Sequence, residues 1–212
     1  MSAGAEPLLD HLVYATADLE ATFAAFERAT GVRPAPGGRH PGRGTRNYLV
    51  GFSDTAYLEI IGPDRESPPA VPGALAFGID RLTGPRLVTW AVRPADLDTA
   101  VVAAREAGAD HGSPRPMSRA TPSGDLLSWR LAADDPRPFD GVVPFLIDWG
   151  STPHPARSGL PRVELTAFEG SHPDPDGVSR VLQAIDVTLP VTGGTPGLRC
   201  QIVGPGGSLE LS

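Results

Sequence analysis

An imidazole and a carboxylate stand out in two apolar, strand-like segments near the start of the chain. His11 lies within segment 8–15 and Glu59 within segment 56–61. Together, a neutral imidazole and a carboxylate suit a divalent ion such as Zn²⁺, Fe²⁺, Mn²⁺ or Ni²⁺. The carboxylate could also act as a catalytic base. The structural alternative is a core histidine hydrogen-bonded to a buried glutamate.

Catalytic metal sites usually have three protein ligands, so this pair needs a further donor. Glu210, in the strand-like stretch 208–211, could supply it, and Glu164 is a weaker candidate. A set of His11, Glu59 and Glu210 would leave open positions on the ion for oxygen activation or Lewis-acid catalysis. For Glu210 the alternative is a solvated surface carboxylate.

A stretch rich in glycine and arginine, residues 37–46, is a second source of chemistry. It contains His40, which could act as a base, and three arginines. Such a loop can direct backbone N–H groups and guanidinium donors at an anionic or carbonyl substrate. Arg46 and Asn47 are both candidates for substrate binding. They face opposite sides of a strand, so only one can face a shared cavity, and alternation groups Asn47 with Leu49.

Tryptophans lie in predicted strands in the middle of the chain, at Trp90, Trp129 and Trp149. Such side chains usually fill a core or line an apolar pocket. Trp90 and Trp149 are our candidates for substrate binding, where they would favour an aromatic or extended apolar ligand. Core packing is the alternative for both.

Composition excludes several function classes. The 212 residues carry a net charge of -7, which argues against a nucleic-acid groove or an anionic membrane surface as partner. All 18 basic residues are arginine, so no lysine is present to form a Schiff base or to grip a phosphate. No apolar run approaches the roughly 20 residues that span a bilayer. The single cysteine, Cys200, is typical of a cytoplasmic protein.

The order of elements repeats along the chain. A strand, a helix, a Gly-rich stretch and two further strands occupy residues 8–62, and a similar unit occupies residues 85–150, with a loop predicted over 111–124. The motif ADLE (17–20) resembles ADLD (95–98), and each follows a strand and opens a helix. A third, partial unit of the same kind is predicted over 160–212, packed on the same domain. We therefore expect an α+β fold of repeated βαβββ modules.

Three of these stretches together resemble the glyoxalase-like domain of the vicinal oxygen chelate superfamily, which includes glyoxalases, bleomycin-resistance proteins and extradiol dioxygenases. They are LDHLVYA (9–15), GGRHPGRGTRNYLVGF (37–52) and AYLEIIG (56–62). The resemblance implies curved, partly open mixed sheets with an active site on the concave side. It also implies that His11 and Glu59 are at the positions of metal ligands.

The resemblance favours an enzyme that acts on a small substrate with adjacent oxygens. A lyase, an isomerase or a dioxygenase using one divalent metal, and assembled as a homodimer, is the first hypothesis. In the second unit, Thr89 corresponds to His11 and Ile147 corresponds to Glu59, and neither is a good metal ligand. A metal-free protein that binds or sequesters a small molecule is therefore the alternative.

Overall fold

The computed structural model describes residues 9–70, 75–121, 126–134 and 136–212, and these form three successive units of the order β-α-β-β-β. The first unit comprises β1 (Leu9–Ala15), α1 (Leu19–Thr30), β2 (Ala35–His40), β3 (Thr45–Gly51) and β4 (Tyr57–Pro63). The second comprises β5 (Arg86–Val92), α2 (Leu97–Glu106), β6 (Arg115–Ala120), β7 (Leu126–Ala132) and β8 (Phe145–Asp148). The third comprises β9 (Glu164–His172), α3 (Pro175–Ala184), β10 (Val191–Gly193), β11 (Gly197–Gly204) and β12 (Gly207–Leu211).

The first two units share one curved, mixed sheet of eight strands. Its order is β2-β3-β4-β1-β5-β8-β7-β6. The units join through the antiparallel pair β1–β5, and within each unit the first and last strands pair in parallel. The two end strands, β2 and β6, come into contact with each other, so the sheet nearly closes. The predicted α+β fold with curved mixed sheets is confirmed.

Helix α1 and helix α2 begin at equivalent caps. The Asp18 carboxylate accepts a hydrogen bond from the Ala21 N–H at 3.1 Å, and Asp96 accepts one from the Thr99 N–H at 2.7 Å. An aspartate at this position satisfies a backbone donor that the helix leaves free and favours the positive end of the helix dipole. Gly31 ends α1 with φ of 71°, a left-handed conformation that glycine adopts without steric cost. The repeated motif thus starts both helices.

The two faces of the eight-stranded sheet have different neighbours. Helices α1 and α2 and the third unit cover one face and form the main core with it, in which Phe26, Trp90 and Ile202 are fully buried. The other face is lined by a smaller apolar cluster that includes Ala15, Ile61 and Ile147. This second face is the concave one, and it carries the polar groups described below.

A β-bulge near the start of β1 changes the predicted facing of its residues. Leu9 pairs with Val92 and His11 pairs with Ala91, so Asp10 is an extra residue on this strand. A bulge interrupts the alternation of side chains and re-aims them. Regular alternation would place Leu9 on the same side as His11, but Leu9 packs in the main core.

The third unit has the full order of five elements but a different sheet. Its four strands are arranged β10-β9-β11-β12, so its first strand is central and pairs with its second strand. The unit packs against β5 and both preceding helices.

A second difference from the prediction concerns residues 111–124 of the second unit. They were predicted as a loop, but Arg115–Ala120 pairs with β7 as an edge strand. No helix in the described parts of the chain is long and apolar enough to cross a membrane.

Candidate functional site

A cavity of about 110 Å³ opens on the concave face of the eight-stranded sheet. Its polar wall comes mainly from the first unit and its apolar wall mainly from the second. The first unit contributes His11, His40, Arg43, Thr45, Asn47, Tyr57, Glu59 and Ile61. The second contributes Met117, Arg119, Trp129, Leu131, Phe145, Ile147 and Trp149, and the linker between the units adds Ala76 and Phe77.

Glu59 lies between two imidazole rings. Its Oε2 is 3.9 Å from His11 Nε2, and its Oε1 is 4.0 Å from His40 Nε2. All three side chains are largely buried and line the cavity. Strands β1 and β4 pair in parallel and place His11 opposite Tyr57, whose ring stacks on the imidazole. The structure therefore brings together the imidazole and the carboxylate selected from the sequence.

Asn47 fixes the orientation of the Glu59 carboxylate. It lies on the neighbouring strand β3, and its Nδ2 donates a hydrogen bond of 2.5 Å to Glu59 Oε1. A hydrogen bond to a charged acceptor is stronger than one between neutral groups. Glu59 Oε2 is left facing His11 and the cavity, so the two oxygens of this carboxylate have different surroundings.

Asp10 is the shared hydrogen-bond acceptor of the side chains behind His11. Its carboxylate is fully buried and accepts a hydrogen bond from His11 Nδ1 at 2.7 Å. It also accepts from Trp149 Nε1 at 2.9 Å, from His154 Nε2 at 3.0 Å and from Arg93 at 3.3 Å. The bulge at Asp10 allows consecutive residues of one strand to meet in this way.

This network sets the charge of Asp10 and the tautomer of His11. Burial by itself would raise the pKa of Asp10, but the hydrogen bonds from His11 and His154 outweigh it and hold the pKa well below its usual range. Asp10 is therefore an anion at neutral pH, and the proton on Nδ1 of His11 is directed at it. We assign the free lone pair of His11 to Nε2, the atom that faces Glu59.

His40 is neutral at physiological pH. Burial is the largest influence on its pKa and lowers it; Arg119 and Arg43 lower it further, against the opposing effect of Glu59. The ring is positioned by a hydrogen bond of 2.9 Å between its Nδ1 and Thr45 Oγ1. When Thr45 donates in this bond, the Nε2 of His40 carries a proton and can donate to a ligand oxygen.

The structure corrects the predicted roles of three residues. Arg46 contacts Glu20 on the outer face, because strand alternation sends its neighbour Asn47 inward. Trp90 is 1% exposed in the main core, where its Nε1 donates to the Val142 carbonyl, so it does not line the cavity. Glu210 lies on β12 in the other sheet and is exposed. Asn47 and Trp149 do lie in the cavity, and their roles stay predictions.

The residues present do not form a three-ligand metal site. Among residues 9–70, 75–121, 126–134 and 136–212, no group of three His, Cys, Asp or Glu side chains is arranged to hold a metal ion. His11 and His40 face different oxygens of Glu59, and the expected third ligand, Glu210, is in a separate sheet, so His11 and Glu59 are left as two donors. Two donors are fewer than a catalytic zinc site normally has. We therefore derive the chemistry of this site from the side chains themselves.

Sequence reasoning missed Asp10, His154 and Arg119. The pair Asp10–His11 is visible in the sequence, but regular alternation would send the two side chains to opposite faces. His154 comes from the segment after β8, where a solvent-exposed turn is the expected setting. Arg119 lies in the stretch predicted as a loop. An alternating pattern interrupted beside a histidine is the one signal that could have pointed to Asp10.

Comparison with known proteins gives a family match. A family model described as a glyoxalase-like domain matches residues 9–185, which include both units of the large sheet and helix α3. No curated protein matches the sequence.

Solved structures with a similar arrangement have low sequence identity. A hypothetical protein from Staphylococcus aureus is 14% identical with a TM-score of 0.63, over 96% of this chain and 85% of that one. A substituted 4-hydroxymandelate synthase from Streptomyces coelicolor is 16% identical with a TM-score of 0.50, over 96% of this chain and 61% of that one. Methylmalonyl-CoA epimerase from Mycobacterium tuberculosis is 20% identical with a TM-score of 0.41, over 69% of this chain and 89% of that one. The first two similarities concern the fold.

Proposed function

Because the chain belongs to the glyoxalase-like domain family of the vicinal oxygen chelate superfamily, we propose that it is an enzyme that transfers a proton on a small substrate with adjacent oxygens. The observation that carries this proposal is the position of Glu59, a cavity carboxylate fixed on one oxygen by Asn47 and flanked on both sides by imidazole nitrogens. A base held in this way suits removal of a proton next to a carbonyl group. An isomerase or a lyase is the reaction class.

Glu59 Oε2 is the proton acceptor in this proposal. The 3.9 Å between Oε2 and His11 Nε2 is longer than a hydrogen bond, so a substrate atom can approach both. A proton can reach His11 Nε2 by way of a substrate oxygen bound between the two groups, and the anionic Asp10 behind the ring stabilises the imidazolium that forms. Return of the proton to a different position completes an isomerisation.

His40 is the group that stabilises the negative charge developing on the substrate oxygen. It is neutral, and its Nε2–H is presented near Glu59, close to where the reacting carbonyl would lie. A fixed donor in a site screened from water stabilises an oxyanion more strongly than water does. The aromatic rings of Trp129, Trp149 and Phe145 screen the cavity on the opposite side.

The test is hydrogen exchange in D₂O. The protein would be incubated with a panel of small ketones, 1,2-diketones and 2-oxo acids, and replacement of the proton beside the carbonyl would be followed by NMR. We expect exchange with at least one compound, loss of at least about 100-fold in Glu59→Gln, and no loss in the matched control Glu210→Gln. Circular dichroism and thermal unfolding would verify that both variants fold.

Chelation separates this mechanism from a metal-dependent one. We expect exchange to persist after dialysis against EDTA. If activity disappears and one of Zn²⁺, Mn²⁺, Fe²⁺ or Ni²⁺ restores it, then Glu59 acts as a metal ligand and the role of base is contradicted. The expected homodimer and cytoplasmic location stay predictions, and light scattering of the purified protein tests the first of them.

A metal-free protein that sequesters a small molecule is the second candidate. It is favoured by the aromatic wall, in which Trp129 and Trp149 pack with ring centroids 5.2 Å apart beside the cavity. In that case ligands would raise the melting temperature without being changed, and Glu59→Gln would bind them as well as the parent protein does. Turnover of any stabilising ligand would exclude this candidate.

A further inference from the structure

A buried arginine from the second unit reaches into the polar half of the cavity. Arg119 lies on β6, is 5% exposed and lines the cavity. Its guanidinium donates a hydrogen bond to the backbone carbonyl of Gly37 on β2. Gly37 lies against the side chain of Asn47, the residue that fixes Glu59, so the guanidinium enters the site next to the proposed base.

Arg119 has no anionic partner within the described parts of the chain. No carboxylate there comes within ion-pair distance of it, nor of Arg43, the second arginine that lines the cavity. By contrast, the exposed Arg130 on the adjacent strand is paired with Asp98. A buried cation without a carboxylate at ion-pair distance is costly. Arg119 and Arg43 both lower the pKa of His40, which is consistent with a positive potential at this end of the cavity.

Such a pair of guanidinium groups suits one class of ligand group. Arg119 retains donors that the single carbonyl of Gly37 does not use, and planar guanidinium donors bind a carboxylate with two parallel hydrogen bonds. Arg43, from the turn between β2 and β3, contacts at 3.2 Å the Sδ of Met117, which lies two residues before Arg119 on β6. The rings of Trp129 and Trp149 form an apolar surface on the same cavity.

We propose that the substrate of this site is a small molecule with a carboxylate and an apolar body. The carboxylate binds to Arg119 and Arg43, and the apolar body packs on Trp129 and Trp149. This inference rests on the proposed function in placing the reacting carbon near Glu59. The carboxylate of the ligand supplies the direct ion-pair partner that the guanidinium of Arg119 lacks among the described residues. Binding itself requires no proton transfer, and the two ideas can therefore be tested separately.

The experiment compares phenylacetate with phenylacetamide, which has the same shape and no charge. Binding to the full-length protein would be measured by isothermal titration calorimetry and by tryptophan fluorescence. We expect phenylacetate to bind about 10-fold to 100-fold more tightly, the range of a hydrogen-bonded pair with a charged group. Equal affinity for the two compounds, or no measurable binding of phenylacetate, would overturn the proposal.

Three variants locate the effect. Arg119→Met should abolish the preference for phenylacetate, and Arg119→Lys should keep part of it, because lysine retains the charge without the planar pair of donors. Arg130→Met, on the neighbouring strand, should bind as the parent protein does. An unchanged preference in a folded Arg119→Met would contradict the assignment, and thermal unfolding of each variant shows whether it is folded.

Glu59→Gln distinguishes failure of this inference from failure of the proposed function. This variant removes the base but leaves both arginines, so it should keep the preference for phenylacetate. If the parent protein prefers phenylacetate but shows no hydrogen exchange, the anion site stands and the proton-transfer proposal is overturned. If the parent protein shows hydrogen exchange but no preference for phenylacetate, the proton-transfer proposal stands and the anion site is overturned.

Discussion

The two halves of the eight-stranded sheet have the same order of elements and different chemistry. The first half contributes His11, Asn47 and Glu59 to the cavity, whereas equivalent strands of the second half contribute Phe145 and Ile147 together with neighbouring tryptophans. Ile147 lies on β8, the counterpart of the strand that carries Glu59. The architecture is repeated, but the charged groups are not.

The difference shows what each buried charge requires. Glu59 is hydrogen-bonded by Asn47, and His11 by Asp10, so each of these two groups has a buried partner from the same half. The second half contributes mainly apolar side chains, which need no hydrogen-bond partners and which shape the cavity and exclude water from it. An apolar wall also lowers the local dielectric constant, which strengthens the electrostatic interactions made by the first half.

Removing Asp10 is the strongest way to disrupt the polar half. Asp10→Ala would leave the donors of His11, His154, Trp149 and Arg93 without their shared acceptor. We expect a loss of about 3–5 kcal/mol in the free energy of unfolding, measured with urea at pH 7. Exchange activity in any folded fraction should fall as well, because the imidazole loses its orientation.

Asp54→Ala is the control for that variant. Asp54 also pairs with an arginine, Arg162, but both side chains are exposed. Exposed ion pairs contribute about 0–1 kcal/mol, and we expect a change within that range. If the two variants lose similar stability, the buried network does not hold the site together.

A pH titration sharpens the comparison through two buried histidines. His11 in the first unit has Asp10 as its partner, whereas Nε2 of His111 in the second unit has no hydrogen-bond partner among the described residues. Burial lowers the pKa of His111 from 6.5 to about 4. The folded protein then binds fewer protons than the unfolded chain between these values, and stability falls as the pH drops through that window.

His111→Leu should remove most of this dependence. Between pH 7.5 and pH 4.5 we expect the parent protein to lose about 2–3 kcal/mol more of its unfolding free energy than the variant does. Urea unfolding of both proteins at the two pH values provides the measurement. Parallel losses in both would show that His111 is not the group responsible.

Neighbouring residues on β3 provide the smallest expected effects. Asn47→Ala removes the hydrogen bond to the buried Glu59 and should cost about 1–3 kcal/mol and reduce exchange activity. Arg46→Ala alters only an exposed contact with Glu20 and should cost less than about 1 kcal/mol with activity unchanged. Equal effects on activity would mean that the cavity is not the reaction site.

The repeated architecture could be predicted because local signals carry it. The capping aspartates Asp18 and Asp96 and the glycine at position 31 act within one helical turn, so they are visible in the sequence. The order of strands in the third unit has no such signal, because pairing is decided between segments far apart in the chain. The same elements therefore gave a different sheet.

The candidate site could be predicted only in part, for two physical reasons. The side of the sheet to which a side chain points can be predicted while strand alternation holds, as for Asn47, which points inward. The prediction fails at the bulge that brings Asp10 beside His11. Trp90 and Trp149 are both largely buried in sequence settings that look alike. Which face each one joins depends on the third unit, whose Phe168 packs against the ring of Trp90.

Strands β2 and β6 meet without forming a ladder, and the described contact between them includes the bond from the Arg119 side chain to the Gly37 carbonyl. Elsewhere in the sheet, neighbouring strands are joined by successive backbone hydrogen bonds, which must break together if the strands separate. Where β2 and β6 meet, side-chain contacts, among them those of Arg119 with Gly37 and of Arg43 with Met117, take the place of a backbone ladder. Separation of these two strands would break fewer backbone hydrogen bonds than separation of strands paired in the sheet, so we expect a longer molecule to be accommodated along this line.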